Sequence, residues 1–114
     1  MSATDPRLRQ IKIKTGVVKR IGKEKTMYGK EVLKEEERLE KFKTEGKDEH
    51  DIRKQEEVLQ ESKMMIPDCR RRLMAAHEEL TKMLEEEADL NETEEFKAAQ
   101  EVLEDASKQL AEVQ

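Results

Sequence analysis

The residues best equipped for chemistry are a basic run with glycines from Gly16 to Lys25, a single cysteine, Cys69, followed by Arg70, Arg71 and Arg72, and two histidines, His50 and His77. A phosphate-cradling loop needs closely spaced glycines after a strand, then Lys followed by Ser or Thr. Here Gly16 and Gly22 stand six apart, Lys23 precedes Glu24, and no strand pattern comes before them. Cys69 has neighbouring cations that would favour a thiolate, but a reactive thiol also needs a partly open site. It falls instead in a periodic apolar row, as a small buried residue would. Neither His50 nor His77 has further ligands at helical spacing, so neither metal binding nor acid–base catalysis is expected. The carboxylates are abundant but spread over charged helical surfaces, with no concave site to shift their titration. No catalytic, cofactor-binding or metal-ligating residue is therefore assigned, and the chain is not expected to be an enzyme.

What remains is a question of surfaces, and charge is the first guide. The 114 residues are 45% charged and 34% hydrophobic, with Tyr28, Phe42 and Phe96 as the aromatics. Such a composition suits either disorder or helices with narrow apolar seams, and periodicity separates the two. The net charge of −5 is unevenly spread, with +7 in residues 1–30 and −12 in residues 31–114. A basic segment can attract nucleic acid, an acidic partner or an acidic stretch of its own chain. Nucleic acid is disfavoured because stacking aromatics are lacking and the cations are interspersed with core positions. With one cysteine no intramolecular disulfide can form, which fits a reducing compartment. The charged first thirty residues do not read as a secretory signal, and no apolar stretch is long enough to span a bilayer, so a cytoplasmic protein without membrane contact is expected.

The periodicity is helical throughout. Asp5 before Pro6 reads as an N-cap with proline at the first helical position. A seam spaced by three and four follows through Ile11, Lys14, Val18, Ile21, Lys25, Tyr28, Val32, Glu35, Leu39 and Phe42, and Gly46 stops the helix. Asp48 caps a second helix with a seam at Ile52, Gln55, Leu59, Ser62, Ile66, Cys69, Leu73, Ala76, Leu80 and Met83. That seam keeps its phase through Pro67, which predicts a kink set by Pro67, Asp68 and Cys69 and not a helix end. Asn91, with Glu94 three residues on, predicts the third start, followed by Phe96, Ala99, Leu103, Ala106, Leu110 and Val113. Strand signals are lacking.

The fold class is thus all-α, an elongated, antiparallel, coiled-coil-like three-helix bundle forming one domain over residues 1–114. Helix 1 spans about 6–45, helix 2 about 49–87 and helix 3 about 92–113. The first two would reach ~60 Å at 1.5 Å per residue, and the third is little more than half as long. Helix 3 should lie beside the start of helix 1 and the second half of helix 2, bringing the basic start of the chain to acidic segments. Val32 to Phe42 and Ile52 to Leu59 would then form a two-helix end with no third helix over its seam. Gly16, Gly22 and Gly29 lie on the flank of the helix 1 seam, where they allow close helix approach at a propensity cost near 1 kcal/mol each.

Away from the seams, Ile13, Met27 and Met64 project off the apolar stripe. Single exposed apolar residues are common, yet methionine's flexible side chain suits a shifting or non-native surface. Together with nearby cations they define the candidate partner-binding set: Ile13, Lys14, Arg20, Met27, Met64, Arg70 and Arg71.

Two longer segments carry a resemblance to a known family. Asp5-Pro-Arg leading into Gln10-Ile-Lys-Ile-Lys-Thr-Gly-Val-Val-Lys-Arg20, and Leu59-Gln-Glu-Ser leading into Met64-Met-Ile-Pro-Asp-Cys-Arg-Arg-Arg-Leu73, resemble the tubulin-binding cofactor A family. Gly22 and Gly29 depart from that family, where larger residues are expected. The resemblance implies a non-enzymatic chaperone that captures β-tubulin released from the cytosolic chaperonin and holds it for αβ-heterodimer assembly. It implies contact through helix surfaces, no nucleotide or other cofactor, an indirect relation to other tubulin-folding cofactors, and a cytoskeleton-associated location. The free protein is expected to be a monomer or weak homodimer. The reading from a different class is a structural coiled coil or spectrin-like oligomerisation module, against which stand the missing tryptophan, the unequal helices and the lack of a second copy.

Overall fold

A computed structural model of the protein describes residues 5–112. Three α-helices follow one another, α1 (Pro6–Thr44), α2 (Glu49–Glu86) and α3 (Glu94–Ala111), with a 3-10 turn at Ala88–Leu90 before the last. No strand occurs among the described residues. Val113, expected at the end of the third seam, lies outside them.

The helix ends follow from local chemistry. Asp5 Oδ1 accepts a hydrogen bond from the Arg7 backbone N–H at 2.9 Å, satisfying an otherwise unpaired first-turn donor, with Pro6 at the first helical position. Asp48 does the same for His50 at 3.3 Å. At the end of α1 Gly46 takes φ +68, the left-handed conformation that side-chain-bearing residues resist. The Lys47 N–H then reaches back to the Phe42 carbonyl at 3.0 Å and the Gly46 N–H to that of Lys43 at 3.2 Å. This is the Schellman arrangement, and Lys47 Nζ completes it 5.8 Å from the Phe42 ring centre.

The third start differs from its expected place. Asn91 closes the 3-10 turn in right-handed helical conformation, and Thr93 is the N-cap, extended at φ −77 and ψ 154. Its hydroxyl accepts from Phe96 N–H at 3.3 Å and donates to the Leu90 carbonyl at 2.7 Å. The turn consumes Asn91, so the cap passes two residues on.

The described residues divide into two compact units, residues 5–22 with 70–112, and Lys23–Cys69. The first contains the start of α1, the second half of α2 and all of α3. Its core is Ile11, Val18, Leu73, Leu80, Leu84, Phe96, Ala99 and Ala106, with Ile21, Ala76, Met83, Leu90, Val102, Leu103 and Leu110 packed around it. The second unit is an α-hairpin of the remaining α1 and α2. Every seam position from Ile11 to Leu110 is buried or half-buried, including the polar ones. The α2 helix continues through Pro67 to Glu86.

Candidate functional site

In the first unit the helix ends are tied by charge. Arg7 donates from Nε to both Asp5 oxygens at 3.1 Å and from Nη2 to Asp5 Oδ2 at 2.7 Å. It also donates from Nη1 to Glu87 at 2.6 Å and from Nη1 and Nη2 to the two oxygens of Asp89 at 3.0 Å. Those hydrogen bonds hold Asp5 and Asp89 below the usual carboxylate range and raise Arg7. Lys14 pairs with Glu79 at 2.6 Å. The basic start of α1 therefore meets acids of its own chain, as the charge distribution suggested. A shallow open groove of about 390 Å³ beside Arg7 is walled by Gln10, Glu79, Lys82, Met83, Glu86 and Glu87. Of its charges, Arg7 and Glu87 are paired with each other, and Glu79 with Lys14 outside the groove.

In the same unit one glycine faces a neighbouring side chain. A side chain added at Gly22, which is buried, would place its Cβ 3.0 Å from Gln109 Nε2 of α3. Gly16 and Gly29 have nothing within 4 Å, so at Gly22 alone would an added Cβ meet a neighbour, the tip of the Gln109 side chain. His77 exchanges a 2.8 Å hydrogen bond with Ser107, a helix-to-helix contact that gives it a structural role. Cys69 is fully buried. Among the described residues no group of His, Cys, Asp and Glu is arranged to hold a metal ion, and no helix is long and apolar enough to cross a membrane.

The candidate partner residues lie in both units. In the first, Ile13 is 47% exposed, Arg20 and Arg71 are exposed, and Lys14 is half-buried in its pair with Glu79. Arg70 is half-buried, and its Nη1 is shielded without a hydrogen-bond partner among the described residues. In the second, Met27 and Met64 are 53% and 65% exposed. Pro67 is exposed, and Asp68 half-buried.

Sequence reasoning missed three more exposed apolar residues, Leu33, Val58 and Met74. Each stands next to a seam position, Val32, Leu59 or Leu73, and a strict seam ignores such flanks. It also missed what the polar seam residues of the hairpin do. Gln55 Nε2 donates to the Glu35 carboxylate at 2.5 Å and to the Glu35 carbonyl at 3.2 Å, with Gln55 and Glu35 both buried. Arg38 lies 3.9 Å from the other carboxylate oxygen. Slipping the pairing by one seam step would set the carboxylate against Ile52 or Leu59, where the Gln55 hydrogen bonds are lost and a buried carboxylate is costly. The signal was visible as Glu and Gln at seam positions of two adjacent helices.

This geometry defines a class: an all-α protein of three helices whose exposed apolar and cationic side chains stand on helix surfaces. The chain belongs to the tubulin binding cofactor A family, whose model matches residues 6–103. It is 62% identical over 100 residues to tubulin-specific chaperone A of Gallus gallus, covering 88% of this chain and 93% of that one. Its fold is similar to the solved human tubulin chaperone cofactor A, with TM-score 0.77, 56% identity and coverage of 90% and 99%. Tubulin folding cofactor A from Arabidopsis thaliana gives TM-score 0.79, 41% identity and coverage of 90% and 97%.

Proposed function

We propose that this chain is a tubulin-folding cofactor that binds and holds β-tubulin folding intermediates released from the cytosolic chaperonin, for assembly of the αβ heterodimer. The observation that carries the reading is family membership over residues 6–103. The similar proteins are themselves named tubulin-specific chaperones. The action is holding and not catalysis, in the cytoplasm and beside the cytoskeleton, by a single domain that is a monomer or weak homodimer with α2 bent at Pro67. Ile13, Lys14, Arg20, Met27, Met64, Arg70 and Arg71 supply apolar and cationic contacts to an incompletely folded partner.

The test mixes the protein with β-tubulin freshly released from chaperonin, using size exclusion with light scattering and a non-tubulin chaperonin substrate as control. A one-to-one complex with β-tubulin alone is expected. No complex, with the protein running as a stable oligomer, would favour a structural coiled coil. The Met64→Glu, Arg71→Glu double variant is expected to lose capture at unchanged helicity; full capture would reject this set of contacts.

A further inference from the structure

The two units bury different kinds of residue. In the first unit the buried core is entirely apolar. Between Lys23 and Cys69 the buried apolar residues are Leu59 and Cys69, and beside them Lys25, Glu35 and Gln55 are buried at 5%, 4% and 6% exposure. The other apolar seam residues there, Val32, Leu39, Phe42, Ile52 and Ile66, are half-buried.

That difference bears on the cost of separating helices. Parting an apolar seam exposes carbon to water with little return. Parting a seam built around a carboxylate and an amide restores hydration to both groups, offsetting the bonds lost. A segment with few fully buried apolar contacts is also one in which local opening is cheap. Its turn favours re-closure, because the Gly46 cap is built from neighbouring residues and needs no distant contact.

We propose that Lys23–Cys69 is an opening hairpin: its two helical arms separate and re-close as a unit while the apolar core of the first unit remains intact, and the Glu35–Gln55 pair is what makes opening easy. The opened arms expose Val32, Leu39, Ile52, Leu59 and Ile66 together.

Native-state hydrogen exchange on the full chain, read by mass spectrometry at rising sub-denaturing urea, tests this. Amides of 30–42 and 52–62 should share one opening step, with protection at least about tenfold below that of 73–84 and 96–106. The Glu35→Leu, Gln55→Leu double variant should raise hairpin protection about tenfold and leave the first unit unchanged, since replacing buried polar pairs with apolar ones is often stabilising. The isosteric Glu35→Gln, which keeps the shape should the double variant misfold, should raise it by a smaller factor in the same segment. Equal protection of both units in the unaltered protein, or hairpin protection that neither variant raises, would overturn the proposal.

Discussion

The first unit and the hairpin are cut from the same two helices, yet they are held by different means. Where α3 supplies a third side, Leu73, Leu80 and Ile11 reach full burial and the polar contacts of Arg7, Lys14 and His77 lie outside that apolar core. Where two helices meet alone, the seam retains partial exposure and its buried centre is Glu35 with Gln55. Full burial of apolar seam residues is thus concentrated where a third helix is present. Two helices cannot enclose a wide aliphatic row, and a polar pair then specifies the partner at less cost in exposed carbon.

The contrast can be broken most forcefully through its leucines. Leu80→Ala in the enclosed core should cost about 3–5 kcal/mol in urea unfolding, whereas Leu59→Ala in the hairpin should cost about 2. Equal losses would erase the distinction between the units. Next in size is Gly46→Ala, which forces a side chain into the left-handed region and should cost about 1–2 kcal/mol. Hydrogen exchange should show that loss in the helix ends flanking the turn, and not in α3.

Thr93→Ala removes the α3 cap and should cost about 1 kcal/mol, read as faster exchange in the first turn of α3. The smallest effect is expected for Arg7→Ala, as a modest fall in melting temperature at pH 7. Asp5 and Asp89 titrate below their ordinary value when folded, so their contribution is present above that value and lost as pH falls through the folded values. The gap between the variant and the unaltered protein should therefore close below about pH 4. It should narrow with salt as well, because the cluster is partly open to solvent. A gap independent of pH would mean that Arg7 acts through packing alone.

Much of this was legible in the sequence. Spacing by three and four placed every described seam residue on a buried or half-buried face, because helical periodicity ties position to direction without reference to distant partners. Asp5, Gly46 and Asp48 were legible for the same reason, since caps are local. The start of α3 was displaced because a 3-10 turn, stabilised by the Thr93 hydroxyl on the Leu90 carbonyl, competes with Asn91 for the cap. The glycines were a partial success: all three sit near the seam, but what opposes each is set by another helix, and only Gly22 has Gln109 against it. Exposure of Ile13, Met27 and Met64 followed from their angles, whereas Leu33, Val58 and Met74 show that the flank next to a seam can face water too.

The sequence order of the two units has a consequence for synthesis. Lys23–Cys69 is contiguous, and its arms are joined by a turn of neighbouring residues, so it holds all its parts once Cys69 has emerged from the ribosome. The first unit joins the beginning of the chain to residues beyond Arg70. Ile11 and Val18 must therefore wait, uncovered, until Leu73, Phe96 and Ala106 have been made. Local contacts form quickly and distant ones slowly. The softer unit is thus complete first, and the firmer one is assembled last around a segment translated before it.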